Sequence, residues 1–135
     1  MRTVSAAKML VSQPDAACIL VVEDEFLIRF MISEIMRDAG YTVIEAANAD
    51  EAMDIIQSEV QLDLVFSDVA MPGSIDGIGL LKAAKALHPS LPVLVTSGHC
   101  DPALALSGGA ARFVPKPYDM ASVVELVAHT LGSSE

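Results

Sequence analysis

The amino-acid sequence predicts an α/β fold, a five-stranded parallel sheet with helices on both faces. Two observations carry this. Short apolar runs of strand length alternate with longer segments whose apolar residues recur at helical spacing. The first of those runs is apolar throughout and ends abruptly in charge, as a parallel strand covered on both faces does. Crossovers between such strands are expected to be right-handed.

Residues 1–16 read as a loose or weakly helical extension. Cys18 to Val22 (CILVV) is the first strand, and Glu23-Asp24-Glu25 leads into a helix. Ile28, Met31, Ile32, Ile35, Met36 and Ala39 form the core stripe of that helix, and Gly40 stops it. Tyr41 to Ala46 is the second strand. Asn48 or Asp50 caps a helix running to about Ser58, with Ala52, Met53, Ile55 and Ile56 as its apolar residues. Leu62 to Ser67 is the third strand. A loop with Gly73, Ser74 and Gly77 follows, then a helix carrying Ile78, Leu80, Leu81, Ala84 and Leu87 that ends before Pro89. Leu91 to Thr96 is the fourth strand. Asp101 to Ser107 has room for only a short helix before Gly108-Gly109. Ala111 to Val114 is the fifth strand, and a last helix spans about Asp119 to Leu131.

A chain of 135 residues with this composition is one domain with a buried core. Its net charge of −10 argues against a nucleic-acid backbone as main partner. No apolar segment reaches the roughly 18 residues of a membrane span. The amino-terminal apolar run is broken by Lys8, Ser12 and Gln13, so no signal peptide is expected. Cys18 and Cys100 form neither a disulfide framework nor a CxxC motif, which fits reduced thiols and a cytoplasmic setting.

The ends of the strands carry the chemistry. Strand one ends in Glu23-Asp24, strand three at Asp68, strand four in Thr96-Ser97-Gly98, and strand five leads to Lys116. Taken singly, each has a plain reading: helix cap, turn, turn and surface lysine. In a parallel sheet, however, all four ends share the edge where open α/β sheets bind ligands. Three carboxylates, a hydroxyl and an ammonium then converge. Crowded carboxylates are relieved by a hard cation, and Mg²⁺ suits carboxylates together with phosphate oxygens. Asp68 is left to attack a phosphoryl group and form an acyl phosphate, with Lys116 and Ser97 as donors to its oxygens.

LVVEDE, FSDVAMPG, VTSG and FVPKPY, in that order, resemble the response-regulator receiver domain, the flavodoxin-like, CheY-like fold of bacterial two-component signalling. The resemblance spans residues 17–131 and leaves 132–135 as a tail, which reads as a stand-alone receiver. It implies a doubly wound sheet of order 2-1-3-4-5. It implies Asp68 as phosphoacceptor, and an acidic pocket of Glu23 and Asp24, with Asp24 the preferred direct Mg²⁺ ligand. The backbone carbonyl of Ala70 matches a further ligand. Ser97 matches the switch hydroxyl, Lys116 the phosphate-contacting lysine and Phe113 the switch aromatic. The stretch from Ser97 to Lys116 is short. Val95-Thr96-Ser97-Gly98-His99 is similar to the subgroup whose fourth strand ends Phe-Ala-Thr-Gly-Tyr and whose fourth helix is reduced or displaced.

The implied partners are a histidine kinase or histidine phosphotransfer protein and a downstream protein target, with no nucleic acid and no membrane. Homodimerisation is left open. Phe26, Leu27 and Phe30 lie off the core stripe and beside the acidic pocket, either covered by a wider core or the amino-terminal extension or offered as a docking patch. His88 and His129 are expected to be structural or solvated, and by resemblance His99 influences access of water to the acyl phosphate. Two other readings compete. One is a binding module with a receiver fold that works without phosphorylation. The other is a haloacid-dehalogenase-like phosphatase, which needs a second Asp where this chain has Ala70.

Overall fold

A computed structural model describes residues 16–69, 76–98 and 102–133. Five strands, β1 (Cys18–Val22), β2 (Thr42–Ala46), β3 (Leu64–Asp68), β4 (Val93–Ser97) and β5 (Arg112–Pro115), form one parallel sheet of order β2-β1-β3-β4-β5. This is the order the resemblance implies. The helices are α1 (Phe26–Asp38), α2 (Ala49–Ile56), α3 (Gly77–Leu87), α4 (Pro102–Ser107) and α5 (Met120–Ser133). The fourth helix is short as expected, at 6 residues. The last continues to Ser133, beyond the expected end at Leu131. The expected ligand Ala70, the turn at Met71-Pro72, His99 and most of the amino-terminal extension lie outside the described residues.

Side chains alternate across the sheet and build a core on each face. Ile19, Val21, Leu64, Phe66 and Leu94 pack with Ile32 and Met36 of α1 and Val123 and Val127 of α5. Leu20, Val22, Val65, Val93 and Val95 pack with α2, α3 and Ala105 of α4. Each such side chain, once buried, contributes roughly 1.5–3 kcal/mol. That gain offsets the cost of desolvating the polar residues where the strands end.

Local chemistry sets the helix boundaries. Of the two caps offered for α2, Asn48 is used: its Oδ1 accepts from the Glu51 amide at 2.8 Å, while Glu51 Oε1 accepts from the Ala47 amide at 2.7 Å. Asp76 caps α3 by accepting from the Gly79 amide at 2.8 Å. The stripe expected for α1 needs correcting. Met31 is 52% exposed and Ala39 is exposed, whereas Ser33 is fully buried beside Ile32 and Met36. Met31 falls on the outer face because it lies four residues from the exposed Leu27, not on the row through Ile32 and Met36. Leu87, at the end of α3, is likewise exposed.

Gly77 fixes the approach of α3 to the end of β3. Its amide donates to the Val69 carbonyl at 2.9 Å. A Cβ there would run into the Asp68 carbonyl oxygen and the Val69 Cα. Gly77→Ala is therefore expected to cost about 2 kcal/mol or more in urea unfolding. Gly132→Ala, with nothing within 4 Å of its Cβ, is expected to be neutral or to gain about 0.5 kcal/mol.

Candidate functional site

Ladder hydrogen bonds carry the sheet register past the strands and place the site residues. The Glu23 amide donates to the Ala46 carbonyl at 3.1 Å, the Val69 amide to the Thr96 carbonyl at 3.0 Å, and the Lys116 amide to the Ser97 carbonyl at 3.0 Å. Asp68 stands opposite Thr96, and Ser97 opposite Pro115. Four strand ends thus meet at one edge by backbone geometry alone.

Glu23 is 1% exposed and Asp68 4% exposed, while Asp24 stands at the surface. Carboxylate oxygens of the three lie within 4.8 Å of one another. The Lys116 ammonium reaches both buried acids, at 3.3 Å from Asp68 Oδ2 and 3.6 Å from Glu23 Oε1. The second distance is an ion pair but is too long for a good hydrogen bond, so Glu23 Oε1 is buried with no hydrogen-bond partner. Glu23 Oε2 accepts from the Glu25 amide at 3.0 Å. A cavity of about 750 Å³ opens beside this group, lined by Asp24, Asp68, Ser97, Lys116 and Tyr118 among others. The predicted residues Glu23, Asp24, Asp68, Ser97 and Lys116 are therefore brought together. Phe113 is not among the lining residues; it is half-buried on β5 against the core beneath α3 and α4.

The electrostatics follow from this crowding. Burial pushes the Glu23 carboxyl up to about 7, helped by the negative charge of Asp68, although the Glu25 amide and Lys116 pull the other way. Burial alone would lower Lys116, but the charges of Asp68 and Glu23 outweigh it and hold the ammonium protonated above its ordinary range. An acceptor set of hard oxygens, one of them buried and unpaired, fits a hard divalent cation.

Three contributors were not singled out from sequence. Thr96 is fully buried and its Oγ1 has no hydrogen-bond partner. Strand alternation was the available signal, since Thr96 is paired with Asp68. Tyr118 packs edge-on against Phe66 at 6.1 Å, and its buried hydroxyl lacks a partner. Burial, with the nearby charges of Glu23 and Asp68, raises its titration above the ordinary range. Arg29 donates to the Glu23 carbonyl at 2.9 Å and pairs with Glu45 at 3.2 Å. No short-range pattern foretells a contact between Arg29 of α1 and Glu45 of β2. His88 Nε2 lies 3.0 Å from the Ile56 carbonyl, a structural link between the ends of α2 and α3.

Comparison with known proteins agrees with this arrangement. The family described as the response regulator receiver domain matches residues 19–128. This chain belongs to that family. The receiver domain is a phospho-acceptor module of two-component signalling. The chain is 36% identical over 114 residues to the DNA-binding transcriptional regulator NtrC of Escherichia coli, covering 82% of this chain and 24% of that protein. It is 34% identical over 120 residues to the sensor kinase CckA of Brucella abortus, covering 86% of this chain and 13% of the kinase. The chain thus spans about a quarter or less of these relatives. Among solved structures, a CheY-like receiver protein from Methanospirillum hungatei superposes with a TM-score of 0.84 at 26% identity, covering 89% of this receiver and 97% of that chain. NtrX from Brucella abortus superposes with a TM-score of 0.80 at 36% identity, covering 88% and 28%. Among the described residues no helix is long and apolar enough to cross a membrane.

The raised Glu23 carboxyl has a consequence for stability. Folded Glu23 keeps its proton to about pH 7, whereas the unfolded carboxyl releases it near 4.5. Between those values the folded state binds more protons, so its stability falls as pH rises. In urea unfolding with chelator, the parent chain is expected to lose on the order of 2 kcal/mol across this window relative to Glu23→Gln. Parallel profiles for the two proteins would assign the pH dependence to other groups.

Proposed function

We propose that this receiver accepts a phosphoryl group on Asp68 from the phosphohistidine of a histidine kinase or histidine phosphotransfer protein in the cytoplasm. The observation that carries this reading is the Lys116 ammonium, which lies against the buried Asp68 and Glu23 carboxylates. An Asp68 carboxylate oxygen attacks phosphorus, the phosphorus–nitrogen bond breaks, and the imidazole leaves with its electron pair and takes up a proton. Asp68 is left as an acyl phosphate. Lys116 and Ser97 line the cavity beside Asp68, which supports their role as donors to the phosphoryl oxygens. Asp24, Glu23 and Asp68 would hold Mg²⁺, with the Ala70 carbonyl as a further ligand by family resemblance, and the ion supplies neutralisation of phosphoryl charge when bound. Glu23 Oε1, short of a partner, is an acceptor such a cation would satisfy.

The donor's docking surface is the outer face of α1. Phe26, Leu27, Phe30 and Met31 are 63%, 69%, 48% and 52% exposed, and the rings of Phe26 and Phe30 stack at 6.2 Å. An apolar face beside an acidic pocket suits the apolar stripe of a donor helix bundle. Phosphorylation then shifts the protein between two populations, read by a partner protein. Ser97 and Phe113 sit on the strands that flank the short α4, where Leu104 and Leu106 are exposed.

Incubation with acetyl phosphate and Mg²⁺ is expected to add the mass of one phosphoryl group, abolished in Asp68→Asn and slowed at least tenfold in Lys116→Ala. Phe30→Ser is expected to slow transfer from a phosphorylated histidine protein while leaving the acetyl phosphate reaction unchanged. Equal slowing with both donors would remove the docking role of α1.

A further inference from the structure

One guanidinium touches the acidic pocket, the sheet and the docking face together. Arg29 Nη1 donates to the Glu23 backbone carbonyl at 2.9 Å. Its Nε donates to Glu45 Oε1 at 3.2 Å, at the end of β2. Its Cζ lies 5.5 Å from the centroid of Phe26, the first residue of the exposed apolar face. The Arg29 side chain is only 16% exposed. Glu45 is itself held from the other side, its Oε2 3.1 Å from Arg37 Nη2. The anchor beneath Arg29 is thus fixed, while the ring above it faces solvent.

We propose that Arg29 is a positioning residue that couples the apolar docking face to cation binding in the acidic pocket. This rests on the phosphoacceptor reading and adds a regulatory link to it. Glu23 has its amide tied to Ala46, its carbonyl tied to Arg29 and one carboxylate oxygen tied to the Glu25 amide. Its remaining oxygen points into the acidic cluster with no hydrogen-bond partner. Loosening the carbonyl contact loosens that oxygen. The exposed Phe26 ring belongs to the docking face, and its attraction for the cationic guanidinium holds the contact from outside. A partner that seats Phe26 therefore firms Glu23, and by reciprocity a bound cation firms the docking face.

Mg²⁺ alone is the probe, read by intrinsic tyrosine fluorescence in a Tyr41→Phe background, where Tyr118, which lines the same cavity, is the one remaining tyrosine, and independently by amide NMR shifts of residues 23–25. Thermal unfolding without metal is measured alongside. Arg29→Gln is expected to weaken Mg²⁺ binding about tenfold, the range found when a group supporting a ligand is lost. Arg29→Lys restores charge but not the fork, and is expected to recover only part of it. Phe26→Leu is expected to weaken binding about threefold, with no further effect when Arg29 is already Gln. Glu45→Gln removes the ion pair but leaves the Glu23 carbonyl contact, and is expected to lower thermal stability while changing Mg²⁺ affinity less than twofold. Wild-type affinity in both Arg29 variants would overturn the coupling. So would equal weakening in Glu45→Gln and Arg29→Gln, or full additivity of Phe26→Leu and Arg29→Gln. Failure of the parent chain itself to respond to Mg²⁺ would instead count against the phosphoacceptor reading beneath it.

Discussion

Two carboxylates, Glu23 and Asp68, are buried side by side at one edge of a parallel sheet, and the rest of the site exists to make that tolerable. Unit charges about 4 Å apart interact with roughly 4 kcal/mol at the effective dielectric of a protein. Lys116 answers this by reaching both acids, and its backbone is fixed to Ser97 by the ladder between β4 and β5. The compensation is incomplete. Glu23 holds its proton to about pH 7, and its Oε1 has no hydrogen-bond partner. An unpaired buried oxygen among crowded carboxylates fits a hard cation. The same frustration that costs stability creates the binding chemistry.

The sheet makes this arrangement possible because its order places β1 and β3 side by side, with β4 next in line. Acids from adjacent strands must then face each other. Gly77 closes the approach from the other side, since any side chain there would strike the backbone of Asp68 and Val69. Helix α1 adds a second layer. Its inner face packs on the core through Ile32, Ser33 and Met36, and its outer face is apolar as well. The exposed apolar residues of that outer face, Phe26, Leu27, Phe30 and Met31, gather in its first half, on the side of the acidic pocket.

Much of this was legible in the sequence because it depends on local signals. Short apolar runs alternating with helical spacing mark the strands, and their parallel arrangement brings Glu23, Asp24, Asp68, Ser97 and Lys116 to one edge. The short fourth helix followed from the few residues between Gly98 and Gly108. What sequence could not supply depends on three-dimensional neighbours. Helical spacing puts Met31 in the core stripe of α1, yet the row through Ile32 and Met36 leaves it outside, because spacing alone does not choose between two apolar faces. Arg29 is an ordinary charged residue until β2 brings Glu45 to it. Tyr118 and Thr96 show no pattern that marks their hydroxyls as buried and unpaired. The requirement for glycine at position 77 arises from contact with a strand end several residues earlier, invisible in the turn itself.

The central claim is that the buried Asp68 carboxylate is the atom group that becomes phosphorylated. Borohydride reduction tests it most directly, because an aspartyl phosphate is converted to homoserine while an unmodified carboxylate is not. After treatment with acetyl phosphate and Mg²⁺, then borohydride, peptide sequencing by mass spectrometry is expected to find homoserine at position 68. Homoserine at Asp24 or at another carboxylate, or a phosphorylated chain with position 68 still aspartate, would contradict the account.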